Sequence, residues 1–221
     1  MSAPQEHYDE TTISFLSDIW GDGFMSPGGV EEASLVLEGL DLTGATVLDI
    51  GSGSGAISVL LVEKFAADKV IGIDVEEPVC KVASKRIEKM QLEKKIEIRL
   101  VTPGKLEFED SKFDYVFSKD SIVHIPDKYN LCSEVFRVLK PGGWFAASDW
   151  LISHDGEPST EMKAYLKAED LDFALASPSQ YKEALEMASF TNIQFINRQL
   201  WHSEQVNKEL LFLTGKENGR L

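Results

Sequence analysis

The chain has 221 residues, of which 43% are hydrophobic, and this is enough to build one well-packed α/β domain. Its 37 acidic and 22 basic residues give a net charge of −15, and such a field repels phosphate backbones and anionic membrane surfaces. We therefore expect neither nucleic acid nor a membrane as a partner. The polar, acidic N-terminus has no signal-peptide pattern. Cys80 and Cys132 lie among apolar residues, as reduced, buried thiols do, which predicts a cytoplasmic protein.

From residue 30 onwards the sequence alternates strand-like and helix-like segments. Apolar runs rich in β-branched residues predict strands at 45–50, 69–73, 96–101, 113–117 and 144–148. Amphipathic stretches predict helices at 56–65, 78–90 and 129–139, and the Lys-Pro-Gly-Gly run at 140–143 ends the last of them. This order predicts an α/β fold with a doubly wound, mostly parallel sheet and helices on both faces.

The remaining segments complete a single predicted domain over residues 1–221. A helix near 179–188 is followed by two strand-like runs, at 193–200 and 210–214. Residues 1–29 and the helical insertion at 151–176 do not fit the regular alternation. We expect both segments to form a lid over the crevice at the carboxyl ends of the strands.

A glycine-rich turn at 47–55, with the sequence VLDIGSGSG, joins a buried strand directly to a helix. Gly51 and Gly53 let the backbone bend tightly and approach a ligand without a Cβ in the way. Gly55 precedes a helix N-terminus, where free amide groups favour a carboxylate or a phosphate. Asp49 lies two residues before the first glycine, and a carboxylate there suits a ligand that carries an ammonium group.

An acidic residue, Asp74, ends the next predicted strand, where it can accept hydrogen bonds from both ribose hydroxyls of a nucleoside. Dinucleotide-binding enzymes share this feature. Their G-x-G-x-x-G pattern differs from the present turn, which has Ala56 at the last position and an extra Gly55. Asp49 would also direct a negative charge towards a pyrophosphate, so the turn favours a ligand with an ammonium group over a dinucleotide.

Four motifs together resemble the class I S-adenosylmethionine-dependent methyltransferases: VLDIGSGSG, GID at 72–74, FDYVFSKDSIVHI at 113–125 and LKPGGWFAASDW at 139–150. The resemblance implies a seven-stranded sheet whose last two strands form a reversed hairpin. It also implies that S-adenosylmethionine is bound by the glycine turn and by Asp74. The other donor-binding residues expected from it are Ser52 in the turn, Val75 beside Asp74, and Thr102 and Pro103 near the adenine.

Within that superfamily the chain looks like the phosphoethanolamine N-methyltransferases. The residues that carry this likeness are Tyr8, the WGDGFMSPGG run at 20–29 and the SKDSIVH run at 118–124. In that family a tyrosine and a histidine close over the bound donor and amine, and Tyr8 and His124 match this pair. Ser26 and Asp120 match residues that line the donor and acceptor sites.

The chain also departs from that family, mainly where the substrate phosphate is held. Tyr165 matches one of the phosphate-binding tyrosines, but Trp150 and Leu171 stand where two others are expected. Glu169 takes the place of the phosphate-binding arginine, and a carboxylate reverses the electrostatic preference there. Lys119 replaces another arginine, on the donor side, and Thr102 replaces an acid that faces the adenine. We therefore expect a small amine acceptor without a phosphate, resembling ethanolamine or an amino acid.

The chemistry requires an amine lone pair in line with the donor methyl group. His124 is the candidate base that deprotonates the amine, or else a residue that caps the fourth strand or gates the site. Asp120 either accepts a hydrogen bond from the amine or is a solvated loop carboxylate, and Tyr8 closes the site through His124. An aromatic cage for a cationic substrate has four candidate members: Trp20, Trp150, Tyr165 and Trp201. The histidines lack metal-ligand spacing, and we expect no metal.

Three other functions remain open for this sequence. The same fold supports O- or C-methylation of a small neutral metabolite. A dinucleotide-dependent oxidoreductase is disfavoured by the spacing of the glycine turn and by Asp49. A catalytically inactive regulator that binds S-adenosylmethionine is disfavoured by the presence of Asp74, Asp120 and His124. The sequence is compatible with a monomer or a homodimer.

Overall fold

A computed structural model of the chain describes residues 8–169 and 172–215. Its centre is a sheet of five parallel strands in the order β3-β2-β1-β4-β5. The strands are β1 (Thr46–Ile50), β2 (Lys69–Asp74), β3 (Ile96–Leu100), β4 (Phe113–Lys119) and β5 (Leu139–Ser148). The helices are α1 (Glu10–Trp20), α2 (Gly29–Val36), α3 (Ala56–Glu63), α4 (Glu77–Lys89), α5 (Lys128–Val138), α6 (Thr160–Glu169), α7 (Pro178–Met187) and α8 (Gln199–Leu213). A short 3-10 helix, Ile122–His124, follows β4.

The central strands are buried on both faces because helices cover both sides of the sheet. Val47 and Leu48 of β1 are neighbours in sequence and fully buried, but they belong to two different apolar clusters. The strand order reverses at β1, which lies between β2 and β4. Open parallel sheets bind their ligands outside the carboxyl ends of the strands at such a reversal. We therefore expect a ligand site among the residues that follow β1, β2 and β4.

All five strands predicted up to residue 148 are present, but the two predicted at the C-terminus are not. Residues 193–198 lie in no strand or helix, and residues 210–213 belong to α8. The prediction of seven strands was therefore wrong for the described residues, in which the sheet has five. For the second run the physical reason lies in composition, because nine of the 15 residues of α8 are leucine, glutamine, glutamate or lysine and its single β-branched residue is Val206.

The two segments predicted to form a lid are partly helical. The N-terminal segment contains α1, whose first turn is capped by Asp9 accepting a hydrogen bond from the Thr12 amide at 2.7 Å. The insertion contains α6, and an isolated parallel bridge between Leu151 and Ala176 joins its two ends. Within residues 8–169 and 172–215, no helix is both long enough and apolar enough to cross a bilayer.

Candidate functional site

The glycine turn after β1 adopts a backbone conformation that side chains disfavour. Gly51, Gly53 and Gly55 have φ angles of 71°, 54° and 88°, all in the left-handed region. A Cβ on Gly51 would also overlap the side chain of Ser121, which follows β4. The turn therefore needs glycine for its conformation and, at Gly51, for its close approach to the neighbouring strand end.

Asp49 lies beneath this turn and is fully buried. Its Oδ2 atom accepts a hydrogen bond from Ser58 Oγ at 2.7 Å, whereas Oδ1 has no hydrogen-bond partner among the described residues. Burial raises the pKa of the Asp49 carboxyl to about 7, and the charge of Asp74 adds to this effect. The Asp49 carboxyl therefore lies buried behind the backbone of the turn. A nearby ammonium group would stabilise its ionised form.

Asp74, at the end of β2, is held by the turn itself. Its carboxylate accepts hydrogen bonds from the Gly53 amide at 2.9 Å and from the Glu76 amide at 3.0 Å. Burial raises the pKa of Asp74, and these amides oppose the increase. The Asp74 carbonyl accepts a hydrogen bond from the Val101 amide at 2.9 Å. The ends of β2 and β3 therefore lie side by side.

Most of the residues expected near the nucleoside are exposed around this edge of the sheet. Val75 is 52% exposed directly after Asp74. Thr102 and Pro103 are exposed in the loop after β3. Ser52 is buried in the turn, and its hydroxyl has no hydrogen-bond partner among the described residues. The turn, Asp74 and the loop after β3 thus form a continuous rim.

The N-terminal segment packs against the glycine turn. Ser54 Oγ donates a hydrogen bond to the Gly23 carbonyl at 2.7 Å, and Met25 Sδ is 3.4 Å from where a Cβ of Gly53 would lie. The next residue, Ser26, accepts a hydrogen bond from Lys119 Nζ at 2.6 Å. Residues 23–26 therefore run from the glycine turn to the end of β4.

Lys119 is the centre of a buried charge cluster at the end of β4. Its fully buried ammonium also donates to the Pro27 carbonyl at 2.7 Å and to Asp120 Oδ2 at 2.6 Å. Glu32 on α2 forms a further ion pair with Lys119 at 3.2 Å, and Glu32 Oε1 accepts a hydrogen bond from Ser148 Oγ at 2.7 Å. Two carboxylates thus share one ammonium. Sequence reasoning missed Glu32, because its partners are distant in the chain and only the packing of α2 brings them together.

Asp120 is buried in this cluster. Its side chain is 8% exposed, so the alternative of a solvated loop carboxylate was wrong. Burial raises the pKa of Asp120, Lys119 opposes the increase and Glu32 adds to it. The residue has a φ of 52°, which is uncommon for a side-chain-bearing residue, and its amide donates to the Ser148 carbonyl at 2.9 Å. Strain of this kind persists only where surrounding contacts fix the backbone.

His124 ends the 3-10 helix that follows Asp120, and it is exposed. Its Nδ1 atom is 3.2 Å from the Asp172 carbonyl oxygen, and its ring stacks on Phe173 at 5.0 Å between centroids. A backbone carbonyl can only accept a hydrogen bond, so Nδ1 carries the proton and Nε2 is the basic nitrogen of the neutral ring. The arrangement is therefore compatible with a base.

A buried polar network supports the backbone of the 3-10 helix. Asp149 Oδ1 accepts a hydrogen bond from the Val123 amide at 3.1 Å, and Asp149 Oδ2 accepts one from Tyr181 at 2.6 Å. Lys128 Nζ donates to the carbonyls of Ile122 and Ile125, at 2.6 Å each. Burial raises the pKa of Asp149 to about 7. Sequence reasoning did not identify this network, since each of its residues is unremarkable in isolation.

Comparison with known proteins identifies the family. Residues 41–208, well over half of the chain, match the family model described as a methyltransferase domain. The chain belongs to this methyltransferase family. It is 33% identical to phosphoethanolamine N-methyltransferase 1 of Zea mays over 84% of its own length and 36% of that protein.

Solved structures agree with this assignment. Phosphoethanolamine N-methyltransferase 2 of Haemonchus contortus, in complex with S-adenosyl-L-methionine, matches 97% of this chain and 49% of its own with a TM-score of 0.88 and 29% identity. A putative sarcosine dimethylglycine methyltransferase from Galdieria sulphuraria has the same fold, with a TM-score of 0.75 and 21% identity over 93% of this chain and 85% of that one. The chain spans about a third to a half of the length of the phosphoethanolamine methyltransferases described here.

Two of the four predicted cage residues, Trp150 and Trp201, lie near the start of α8. The ring of Trp150, after β5, meets that of His202 edge to face at 4.5 Å. Trp20 is half-buried at the end of α1, and Tyr165 is 44% exposed on α6. Trp201 on α8 donates a hydrogen bond to Glu31 Oε1 at 3.2 Å. Trp201 is thus engaged with α2, and the predicted cage of four aromatic residues stays a prediction.

Three predicted site residues lie at or beyond the ends of the described segments. Tyr8 is half-buried ahead of α1. Glu169 is the last residue of α6, where only its backbone is described, and Leu171 lies outside the described residues. In the part of the chain that the structure describes, no group of three or more histidine, cysteine or acidic residues is arranged to bind a metal ion.

Two residues at the start of α8 approach Glu32 and Trp150, and sequence reasoning did not identify them. Arg198 precedes the helix, and its Nη2 atom is 3.8 Å from Glu32 Oε1. His202 lies one turn later and contacts Trp150. Because residues 193–200 were predicted as a strand, the one-turn spacing of Arg198 and His202 was not foreseeable.

Proposed function

We propose that the chain is an S-adenosylmethionine-dependent N-methyltransferase that acts on a small amine. The residues of the glycine turn fit the donor. Gly51, Gly53 and Gly55 supply the close backbone approach, Asp74 is positioned to accept from the ribose hydroxyls, and Asp49 has a buried oxygen without a partner among the described residues. An ammonium group above the turn, such as that of the donor's methionine portion, would favour ionised Asp49 electrostatically.

An amine is favoured as the acceptor by one observation, which is that Asp120 and Glu32 share the ammonium of Lys119. Asp120 and Glu32 are both buried and both paired with this one cation, at 2.6 and 3.2 Å. Arg198 also lies 3.8 Å from Glu32, so the charges of the cluster nearly balance, but burial and Glu32 both raise the pKa of Asp120, and a cationic group beside Asp120 would favour its ionised form. A neutral hydroxyl or carbon acceptor would gain much less from the same environment.

The residues around this cluster have distinct roles in the proposed methyl transfer. The donor, when bound, supplies an activated methyl group on its sulfonium. Asp120 accepts a hydrogen bond from the acceptor nitrogen and orients it, and a good alignment is worth about 7–11 kcal/mol in effective concentration. His124 removes the proton that the ammonium must lose, using Nε2 as the base. Tyr8 closes the site over His124, as the resemblance implies, and excludes water.

The acceptor is expected to be ethanolamine-like or amino-acid-like. The relatives named above are phosphoethanolamine N-methyltransferases. In this chain Glu169 replaces the arginine that holds the phosphate in that family, and Trp150 replaces a tyrosine. Trp20 and Tyr165 remain candidate contacts of the acceptor. We therefore expect phosphoethanolamine to be a poor substrate.

Two other functions compete with this proposal. O- or C-methylation uses the same donor site, and a non-catalytic regulator would bind the donor alone. The buried carboxylate of Asp120 favours an amine over both, because neither a neutral acceptor nor the donor alone would use a buried carboxylate at this position. We further propose a cytoplasmic protein that acts as a monomer or homodimer and does not bind nucleic acid, in keeping with the net charge of −15.

The proposal is tested by donor binding and by turnover. Calorimetry with S-adenosylmethionine and with NAD compares the two nucleoside ligands, and we expect binding of S-adenosylmethionine alone. Turnover of the donor is then measured with ethanolamine, glycine, phosphoethanolamine and matched alcohols. Faster turnover with an alcohol than with any amine contradicts N-methylation, and donor binding without turnover of any acceptor supports the regulator.

A further inference from the structure

The start of α8 packs against α2, and one face of this helix approaches the buried charge cluster around Lys119. Trp201 donates to Glu31 on α2 and packs closely against Gly28. The guanidinium of Arg198 lies 4.8 Å from the centroid of the Trp201 ring. His202 is four residues after Arg198, so the two side chains share a face of the helical segment. This face meets Glu32 on one side and Trp150 on the other.

Hydrogen-bond donors on this face are buried but unpaired. Nε and Nη2 of Arg198 and Nε2 of His202 are inaccessible to solvent and have no hydrogen-bond partner within residues 8–169 and 172–215. Buried polar groups are almost always paired, and an unpaired guanidinium nitrogen is among the costliest exceptions. Such a group indicates a partner that the described part of the chain does not itself supply.

The charges around Arg198 alternate in sign. Asp120 is 2.6 Å from Lys119, Lys119 is 3.2 Å from Glu32, and Glu32 is 3.8 Å from Arg198. The oxygen of Glu32 nearest to Arg198 already accepts from Ser148, and the 3.8 Å separation is too long for a hydrogen bond. The series therefore has a carboxylate at one end and an incompletely paired guanidinium at the other.

We propose that Arg198, assisted by His202, binds an anionic group of the methyl acceptor, so that the acceptor is a zwitterion whose ammonium end faces Asp120. This inference rests on the proposed N-methyltransferase function. A single guanidinium matches a carboxylate with two parallel hydrogen bonds. The carboxyl of Glu209 lies near His202 and would repel a phosphate dianion more than a carboxylate. The structure therefore favours an amino acid over a phosphoester.

Substitution of Arg198 tests the proposal with three acceptors. Arg198→Gln is compared with Arg99→Gln, which removes an arginine at the opposite edge of the sheet that pairs with Glu97. The acceptors are glycine, phosphoethanolamine and ethanolamine, which carry a carboxylate, a phosphate and no anion. We expect Arg198→Gln to raise the KM for glycine by about 10-fold or more, since one charge-assisted pair is lost. We expect the kcat/KM for ethanolamine and the affinity for S-adenosylmethionine to change less than about 3-fold, and Arg198→Lys to recover part of the loss.

Several outcomes would overturn the proposal. An equal loss with ethanolamine and glycine would mean that Arg198 only supports the fold, and a preference of the unmodified enzyme for ethanolamine would mean that no anion is recognised. A KM effect seen with phosphoethanolamine alone would identify a phosphate instead of a carboxylate. If no amine is methylated, the proposed function fails. Calorimetric titration of glycine into enzyme saturated with S-adenosylhomocysteine then still decides the role of Arg198, because weaker binding to Arg198→Gln supports it and equal or absent binding refutes it.

Discussion

Arg86 on α4 binds both carboxylate oxygens of Asp22, with Nη1 and Nη2 at 3.0 and 2.7 Å. The Nε atom of the same guanidinium donates to the Ser54 carbonyl in the glycine turn at 3.0 Å. One side chain thus fastens the N-terminal segment to the turn. Gly23 is required beside it, because a Cβ there would lie 2.5 Å from the guanidinium carbon. Arg86 therefore holds the glycine turn and the segment that leads to Ser26 together.

Removal of this connection should weaken donor binding. We expect Arg86→Met to raise the Kd for S-adenosylmethionine by about 10-fold, because two charge-assisted hydrogen bonds that order residues 22–26 are lost. Lys85→Met is the matched control, since Lys85 is exposed and its Glu10 contact at 3.5 Å is distant from the turn. Calorimetry measures both variants. An unchanged Kd in Arg86→Met would show that the segment orders without Arg86.

The buried Asp49 should make donor binding depend on pH. The pKa of Asp49 is raised to about 7, above the value of about 4 expected in the unfolded chain. The carboxyl therefore stabilises the fold most below pH 4 and loses this contribution as the pH rises through 7. A bound ammonium lowers the same pKa, so donor affinity should increase between pH 6 and pH 8 as the cost of ionising Asp49 disappears. We expect Asp49→Asn to reduce the pH dependence of both the free energy of unfolding and the donor affinity.

The measurement for Asp49 is a set of urea unfolding curves and donor titrations across pH 5–8. Glu93→Gln, an exposed substitution, is the control for a general change of charge. Donor affinity that stays constant with pH in the unmodified enzyme, or a pH dependence that Asp49→Asn leaves intact, would assign the titration to another group.

His124 should act in the chemical step and not in donor binding. We expect His124→Ala to lower kcat by about 100-fold or more while the Kd for S-adenosylmethionine changes little, as is typical for the loss of a general base. The effect should be largest near pH 7, where a free amine is scarce, and smaller above pH 9. Turnover that is unchanged at every pH would mean that His124 only gates the site.

The Asp149 network should affect turnover through the position of His124. We expect Asp149→Asn to lower kcat by about 10-fold, because the Val123 amide and Tyr181 lose a charged acceptor and the 3-10 helix shifts. Tyr181→Phe keeps the carboxylate and removes one hydrogen bond at 2.6 Å, so it separates the charge from the packing. Kinetics and donor calorimetry measure both variants. A loss of donor affinity as large as the loss of kcat would indicate general destabilisation.

Local patterns were sufficient to predict the five strands of the sheet, and they indicated donor-binding residues around Asp49 that stay a prediction. The strand, glycine turn and helix around Asp49 are contiguous, so their periodicity and turn chemistry can be read directly. Glu32 and Arg198 were not predictable, because their roles depend on packing between segments far apart in sequence. The run predicted as a strand at 210–214 was misassigned, because a short apolar run has the same appearance in a strand and in a helix. A helix brings the side chains of Arg198 and His202 within one turn of each other, whereas a strand would separate them by about 13 Å.

Glu169 stands where the family resemblance implies a phosphate-binding arginine, so substitution of this residue should affect phosphate recognition. We expect Glu169→Arg to raise the kcat/KM for phosphoethanolamine by about 10-fold or more, because a guanidinium replaces a repelling carboxylate at the end of α6. Glu161→Arg, in the first turn of the same helix, makes the identical change of charge and is the control. The gain should be absent with ethanolamine, which has no phosphate. Efficient methylation of phosphoethanolamine by the unmodified enzyme would mean that another cation, with Arg198 the first candidate, already replaces the missing arginine.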